Sequence, residues 1–185
     1  MTRSRTSRWA IPLAAMRLVL LGTLFHLPSS EAARAQGIGC VLQTATAPQR
    51  QILRCRDGLT IEAEAGAAYN LVDQNRDGQP DAVNLQGRAI LIDAPAQSAR
   101  QGFQIMTPQA IAAVRGTQWV VDVIGARTSV FVVTGRVAVR RISGNTRGVS
   151  LGPGEGVDVE AGTSPLVVRR WPAARAAALL ARLGR

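Results

Sequence analysis

Residues 73–81, DQNRDGQPD, combine side-chain types and spacing that could bind a metal ion. Oxygen donors occupy loop positions 1, 3, 5, 7 and 9, namely Asp73, Asn75, Asp77, the backbone carbonyl of Gln79, and Asp81. Calcium loops use this spacing with a glycine at position 6, where Gly78 stands here. Position 12 is Asn84 instead of the bidentate glutamate of an EF-hand. The pattern predicts a weak, structural calcium site, and the alternative is a polar β-turn, where Asp, Asn and Gly are favoured anyway.

The residues needed for most catalytic chemistry are missing. The sequence contains no lysine, and its single histidine, His26, lies in a predicted leader. Ser-His-Asp and Cys-His catalysis, Schiff bases and histidine-ligated zinc are therefore not expected in the mature chain. Carboxylate pairs can hydrolyse glycosides, but aromatic residues make up only 4 % of the chain, too few for a sugar platform. We expect no enzyme activity.

Residues 1–35 have the layout of a secretory signal peptide. Three early arginines precede an apolar run over residues 9–27, and Ala33-Arg34-Ala35 offers a cleavage site before Gln36. The mature protein is then periplasmic or secreted. The alternative is an uncleaved anchor in the inner membrane, which Arg17 in the middle of the apolar run disfavours.

The mature chain is basic. Removal of the leader takes away five arginines and one glutamate, which leaves 17 arginines, 11 acidic residues and a net charge of +6. The arginines are dispersed and no aromatic-basic platform accompanies them, so nucleic-acid binding is not expected. Weak attraction to an anionic wall polymer or membrane surface is compatible with this charge.

Cys40 and Cys55 are the only cysteines, 15 positions apart. In an oxidising compartment such a pair predicts a disulfide, and the spacing is not that of a C-x-x-C redox motif. A loop of this length adds about 3 kcal/mol of stability in the chain-entropy model. The residues between them, with Pro48 at the middle, indicate a hairpin.

Short apolar runs separated by Gly, Pro, Asn and Asp predict an all-β fold. The predicted strands cover residues 59–63, 69–72, 82–85, 89–92, 104–106, 118–123, 129–133, 137–141, 148–151, 156–159 and 166–170. Residues 171–185 differ, because Ala176, Leu179, Leu180 and Leu183 repeat with helical spacing after Pro172. They predict one short amphipathic helix that either clamps the β structure or docks on a partner.

Residues 107–123, TPQAIAAVRGTQWVVDV, begin like a short helix, continue through Arg115 and Gly116, and end as a strand. Together with TSVFVVTGRVAVRR and VSLGPGEGVDV further on, this stretch resembles the FecR domain. The positions that carry the resemblance are Thr107, Pro108, Ala110, Ala112, Val114, Arg115, Gly116, Thr117 and Trp119, then Thr128, Val130, Val132, Gly135, Val137 and Val139, then Leu151, Gly154 and Val157.

The resemblance implies a β-helix-like or β-sandwich-like module of many short strands outside the inner membrane. A chain that steps between two layers needs a glycine at the corner, which is the role we expect for Gly116. We also expect Arg115 to reach a carboxylate or carbonyl on a neighbouring layer, and the alternative is that Arg115 contacts a partner. The predicted organisation is a signal peptide (1–35), an all-β FecR-type domain (36–170, signature 107–159) and a C-terminal helix (171–185).

The best-known members of this family are inner-membrane regulators of extracytoplasmic-function sigma factors. Only about eight residues precede the apolar run here, so we expect no cytoplasmic domain and no direct antagonism of a sigma factor. The sequence predicts an exported binding or sensing module for signalling, with an unidentified envelope protein as partner. The alternative is an envelope scaffold protein that adheres to anionic wall or membrane.

Overall fold

The structure is a computed structural model that describes residues 38–95, 102–114, 116–143 and 147–185. Within these residues the chain forms thirteen strands and one α-helix. The strands are β1 (Cys40–Thr46), β2 (Gln49–Cys55), β3 (Thr60–Glu64), β4 (Ala68–Val72), β5 (Ala82–Ala94), β6 (Phe103–Met106), β7 (Ala110–Val114), β8 (Thr117–Ile124), β9 (Arg127–Thr134), β10 (Val137–Arg141), β11 (Val149–Leu151), β12 (Glu155–Glu160) and β13 (Arg169–Arg170), and the helix is α1 (Ala173–Ala181).

The strands form two layers that share β5. Sheet A has the order β1-β2-β3-β5-β8-β9-β12-β13, and sheet B has the order β4-β5-β6-β7-β10-β11. The second half of β5 pairs within sheet A and its first half within sheet B. Between the two halves lies Arg88, whose φ of 66° marks the bend. Every pairing is antiparallel except β5–β6, so the predicted all-β fold is confirmed in its sandwich-like form.

The core lies between the two sheets and is almost wholly aliphatic. Inward-facing side chains of both layers join in one buried cluster, in which Ile92, Trp119 and Val132 of sheet A and Ile105 and Val137 of sheet B are fully buried. Because aromatics are scarce, β-branched and small side chains fill the space instead, and these residues favour strands. In β9 side chains of both faces are buried, because Val130 and Val132 face the core while Phe131 lies under Trp171 on the other face.

The chain crosses between the layers at glycines of the three blocks that resemble the FecR domain. The crossings are β7 to β8 at Gly116, β9 to β10 at Gly135, and β11 to β12 at Gly154, with φ of 61°, 82° and 78°. The first two corners pack on each other, since a Cβ at Gly135 would lie 2.7 Å from the Gly116 carbonyl oxygen and from Thr117 Oγ1. Positive φ and this close approach both require glycine at position 135.

Three details of the predicted elements are wrong. The stretch before Gly116, which could pass for a short helix and is not among the predicted strands, is strand β7, because its alternate residues face the core and the burial period is two. The two strands predicted at 82–85 and 89–92 are one 13-residue strand that bends from one sheet into the other. The strand predicted at 166–170 is reduced to its last two residues.

The C-terminal helix is confirmed and packs on the outer face of sheet A. It starts after Pro172, and its turns bury Leu179 and, just past its end, Leu183. Together with Trp171 these side chains cover an apolar strip of sheet A that includes Leu91. No helix in the part of the chain described here has the length and hydropathy needed to cross a membrane.

Candidate binding surfaces

Thr107 and its neighbours form a hydrogen-bonded corner inside the domain. The Thr107 hydroxyl accepts the N–H of Ala110 at 2.9 Å and lies 2.8 Å from the hydroxyl of Thr128. Thr128 in turn donates to the side-chain oxygen of Gln109 at 2.8 Å. Thr107 and Thr128 are buried while Pro108 is exposed. The structure therefore assigns Thr107 to the architecture and not to an exposed contact.

The other resemblance positions lie in the same region. The Thr117 hydroxyl donates to the Arg136 carbonyl at 3.2 Å, which ties the β8 corner to the β10 corner. Trp119 is fully buried in the core. Arg115 lies outside the described residues, and its expected contact with a neighbouring layer stays a prediction.

The acidic loop is held together by its own carboxylates. Asp73 accepts the N–H groups of Asp77 (3.2 Å) and Gly78 (2.9 Å), and Asp77 accepts that of Gln79 (2.8 Å). Asp81 closes the loop from the other side by accepting the N–H of Gln74 at 3.0 Å. These are the side-chain to backbone bonds that Asp makes in turns.

Nothing in this loop requires an ion for its shape. Across residues 38–95, 102–114, 116–143 and 147–185, no group of three or more His, Cys, Asp or Glu side chains is placed to hold a metal. Asn75 donates its side-chain N–H to Asp77, and the Gln79 amide packs against Gly39, where a Cβ would lie 2.6 Å from Nε2. Calcium binding stays a prediction from the sequence.

The predicted disulfide is confirmed. Cys40 and Cys55 face each other across the β1–β2 hairpin and are bonded to each other. A cavity of about 470 Å³ beside them is lined by Arg54, Arg56, Asp77 and neighbouring backbone. Its lining offers charge but pairs no nucleophile with a base, so it shows no catalytic arrangement.

Arg182 anchors the end of α1 to two acidic side chains of sheet A. Its guanidinium reaches Glu64 through Nη2 (2.5 Å) and Nε (3.1 Å), and Asp122 through Nη1 (2.8 Å) and Nη2 (3.0 Å). The Asp122 side chain is only 8 % exposed. Arg185 extends this contact to Glu62, which Arg50 also binds at 3.1 Å. The helix is thus held by paired charges as well as by apolar packing.

The start of the helix is anchored by an aromatic stack. The Trp171 ring lies on Phe131 of β9, with ring centroids 5.0 Å apart. The Arg175 guanidinium lies over the Trp171 ring, 3.6 Å from its centroid, and binds Asp158. Gly156 makes room for the indole, because a Cβ there would clash with it. Stacking, cation–π contact and ion pair act at one point of the sheet.

Ion pairing lowers the pKa of two of these carboxyl groups. Burial acts to raise the pKa of Glu64, but hydrogen bonds from Arg182 and the Ala89 N–H, with the charges of Arg182 and Arg88, lower it by more. The pKa of Asp158 is likewise lowered, because hydrogen bonds from Arg175 and Ser129 and nearby charges outweigh burial. Both groups favour the charged form in the folded protein.

Sequence reasoning missed these acidic partners of the helix. A signal was present, since Glu62 and Glu64 occupy alternate positions of one strand and so share its outer face. Acidic residues on a sheet face and arginines along a following amphipathic helix predict a helix packed on that face. The pairing of distant residues, such as Arg182 with Asp122, is not visible from the sequence itself.

Strand β1 is an edge strand of sheet A that carries no charged residue. Among the described residues it pairs with β2 alone. The Arg56 N–H donates to the Gly39 carbonyl, so alternate pairs from Gly39 onward are the hydrogen-bonded ones. The N–H and C=O groups of Leu42 and Thr44 therefore point away from β2. With seven residues, β1 is longer than the other edge strands described, β4, β11 and β13.

The comparisons with known proteins bear on family and fold. Two crystal structures of a candidate anti-sigma factor from Parabacteroides distasonis ATCC 8503 are similar, with TM-scores of 0.58 and 0.57 and sequence identities of 19 % and 17 %. The match covers 76 % of this chain and 64 % of that protein, so the chain spans less than two thirds of its length. At this identity the likeness shows the fold alone. A comparison with curated proteins finds no match.

Residues 41–138 match the model of the family described as FecR protein. The matched region begins in the disulfide-bonded hairpin and ends within β10, so it includes the first resemblance block and the second as far as residue 138, and it extends upstream of them. It covers more than half of the sequence, and the chain therefore belongs to the FecR family.

Proposed function

We propose that this protein is an exported FecR-domain module that binds an envelope protein and takes part in signalling. The family supports a regulatory role. The observation that carries the binding proposal is the long, uncharged edge of β1, with which no other strand in the described part of the chain pairs except β2 on its inner side. Exposed edges of this kind accept an extended segment of another chain as an added strand. Export rests on the leader predicted over residues 1–35, which lie outside the described residues.

The β1 edge suits such a partner better than the C-terminal helix does. Helix α1 is occupied, because Leu179 and Leu183 are buried and Arg182 is bound to two carboxylates. The β1 edge instead offers outward N–H and C=O groups at Leu42 and Thr44. Backbone pairing there supplies affinity, and the alternating side chains of the added strand supply specificity.

A substitution at Thr44 tests the proposal. Thr44→Pro removes the outward N–H and leaves the hydrogen bonds to β2 in place, whereas Thr44→Ala keeps that N–H and serves as the matched control. Purified protein is crosslinked in native envelope extract, and the captured proteins are identified. We expect one dominant envelope protein with wild type and Thr44→Ala, and its loss with Thr44→Pro. Equal capture by both variants would exclude β1 as the contact.

The second candidate is a scaffold that adheres to anionic wall or membrane. It is favoured by exposed arginines outside the helix contacts, among them Arg127, Arg136, Arg140, Arg169 and Arg170. Such adhesion is electrostatic and is weakened by screening. Sedimentation with purified envelope at low salt that disappears at high salt, and that Thr44→Pro leaves unchanged, would support the scaffold over the signalling partner.

A further inference from the structure

The outer face of sheet B differs from the rest of the surface in carrying almost no charge. Strands β4, β6 and β7 and residues 82–86 of β5 contain no Asp, Glu, Lys or Arg, in a sequence of which 18 % is charged. Solvent-exposed faces of antiparallel sheets normally alternate polar outward residues with apolar inward ones. The absence of charge over four adjacent strands therefore needs a reason.

The strand registers place the outward residues in two rows across this face. The first row consists of Asn70, Asn84, Met106, Ile111 and Arg140, and the second of Val72, Ala82, Gln104, Ala113, Ala138 and Ser150. We call these two rows the sheet B outer face. Arg140 is its only charged member.

The sheet B outer face has an apolar centre and a polar margin. Met106 and Ile111 are opposite each other at the middle and half-buried, and neither belongs to a buried cluster of the domain. Ile142, 48 % exposed, follows Arg140 and Arg141 at one end. Asn70 and Asn84 form a cross-strand pair at the other. An apolar centre surrounded by amides and hydroxyls is the usual anatomy of a protein interface.

The two outer faces of the sandwich differ in their charge and in whether a helix packs on them. Sheet A presents Glu62, Glu64, Asp122 and Asp158, and the chain's own basic helix covers them. No residue of the sheet B outer face joins either buried cluster of the described ranges, although Ala82 is itself only 1 % exposed. A face that stays in water gains solubility from charge, whereas a face that is buried on association avoids the cost of desolvating it.

We infer that the sheet B outer face packs against the same face of a second copy of this chain. Charge decides between occupants. An anionic polymer or membrane would meet a single guanidinium, and a charged partner would find no countercharges. A second copy brings an equally uncharged, low-relief surface, which is what an isologous interface requires. A two-fold axis along the strands sets Arg140 of each copy above the Asn70–Asn84 pair of the other.

The area of the face sets the strength of this dimer. Six strands about 4.8 Å apart span about 29 Å, and two rows of alternate residues extend about 14 Å along the strands. The face then covers about 400 Å² per copy and about 800 Å² in the pair, the size of a weak, transient interface. We expect a weak, concentration-dependent dimer, not an obligate one.

Sedimentation velocity of the purified full chain from about 1 to about 300 µM tests the inference, since this range brackets micromolar association. Wild type should pass from monomer to dimer over that range. Ile111→Arg or Ala138→Arg, on the face, should stay monomeric, while Val167→Arg, at a side chain 56 % exposed elsewhere, should dimerise like wild type. Two variants on different strands guard against one that misfolds, which circular dichroism would reveal.

Two results would overturn the inference. A wild-type chain that stays monomeric over the whole range has no such interface. Folded face variants that dimerise as wild type does would show that the contact lies elsewhere. The inference is independent of the β1 edge, because Thr44→Pro should dimerise normally if the sheet B outer face is the contact and should not if the copies pair through β1.

Discussion

Replacing Arg182 by methionine tests whether ion pairing holds the C-terminal helix in place. Methionine keeps much of the aliphatic stem of arginine and removes the guanidinium. Four hydrogen bonds to Glu64 and Asp122 are then lost. Glu64 retains its hydrogen bond from the Ala89 N–H and a 3.5 Å contact with Arg88. Asp122, whose side chain is 8 % exposed, is therefore the carboxylate that loses more of its stabilising contacts.

The size of the expected stability loss follows from the burial of the ion pair. Removing one partner of a buried ion pair costs about 3–5 kcal/mol, because an uncompensated charge remains. Arg182 is 33 % exposed, and water that reaches Asp122 in the variant offsets part of this cost. We expect a loss of about 2–3 kcal/mol in the free energy of unfolding, which lowers Tm by about 5–10 °C for a domain of this size.

The assay is urea unfolding followed by tryptophan fluorescence, with Arg175→Met as the matched control. The Arg175–Asp158 pair is 40 % and 38 % exposed, so its loss should cost less, about 1 kcal/mol with the cation–π contact included. Asp122→Asn should recover part of the Arg182→Met loss by removing the unpaired charge. An Arg182→Met loss no larger than that of Arg175→Met would refute the account of the helix anchor.

Four further outcomes are expected. Because the pKa of Glu64 is lower in the folded than in the unfolded chain, it stabilises the fold above its ordinary value of 4.5, and this contribution should disappear as pH falls below that value, seen as a drop in Tm. Burial raises the pKa of Tyr69 to about 12, so absorbance titration of this sole tyrosine should show a midpoint near that value instead of 10. Replacing Cys40 and Cys55 with serine should cost about 3 kcal/mol in chemical unfolding. If the acidic loop binds calcium, calorimetry should record millimolar-range binding that Asp77→Asn weakens, and heat identical to buffer would leave the loop as a turn.

The fold class and the family could both be predicted from the sequence. The resemblance to the FecR domain agrees with the family match. Apolar residues at alternate positions, such as Val137 and Val139 of β10, predict a strand, because this period of two is visible in the sequence itself. Gly135 could be placed between strands for the same reason. The role of Gly116 could be predicted once a two-layer fold was considered, because a corner between two layers needs a glycine.

The errors come from tertiary contacts. Residues 109–114 are rich in alanine and favour a helix locally, but pairing of β7 with β6 and β10 overrides that propensity. The bend in β5 at Arg88 interrupts an apolar run, so one strand looks like two. The partners of Arg182 lie 60 and 118 positions away, beyond any local pattern.

The helix contacts also decide which experiment can locate a partner. Deleting residues 172–185 would remove Leu179 and Leu183 from the apolar strip formed by Leu91, Val120 and Phe131 and would take the guanidinium of Arg182 away from Asp122 and Glu64. Loss of binding after such a deletion would therefore report a damaged domain, whichever surface the partner uses. Single substitutions at the β1 edge and at the sheet B outer face avoid this problem, because both surfaces lie outside the core. Only they can separate a partner contact from the stability of the sandwich.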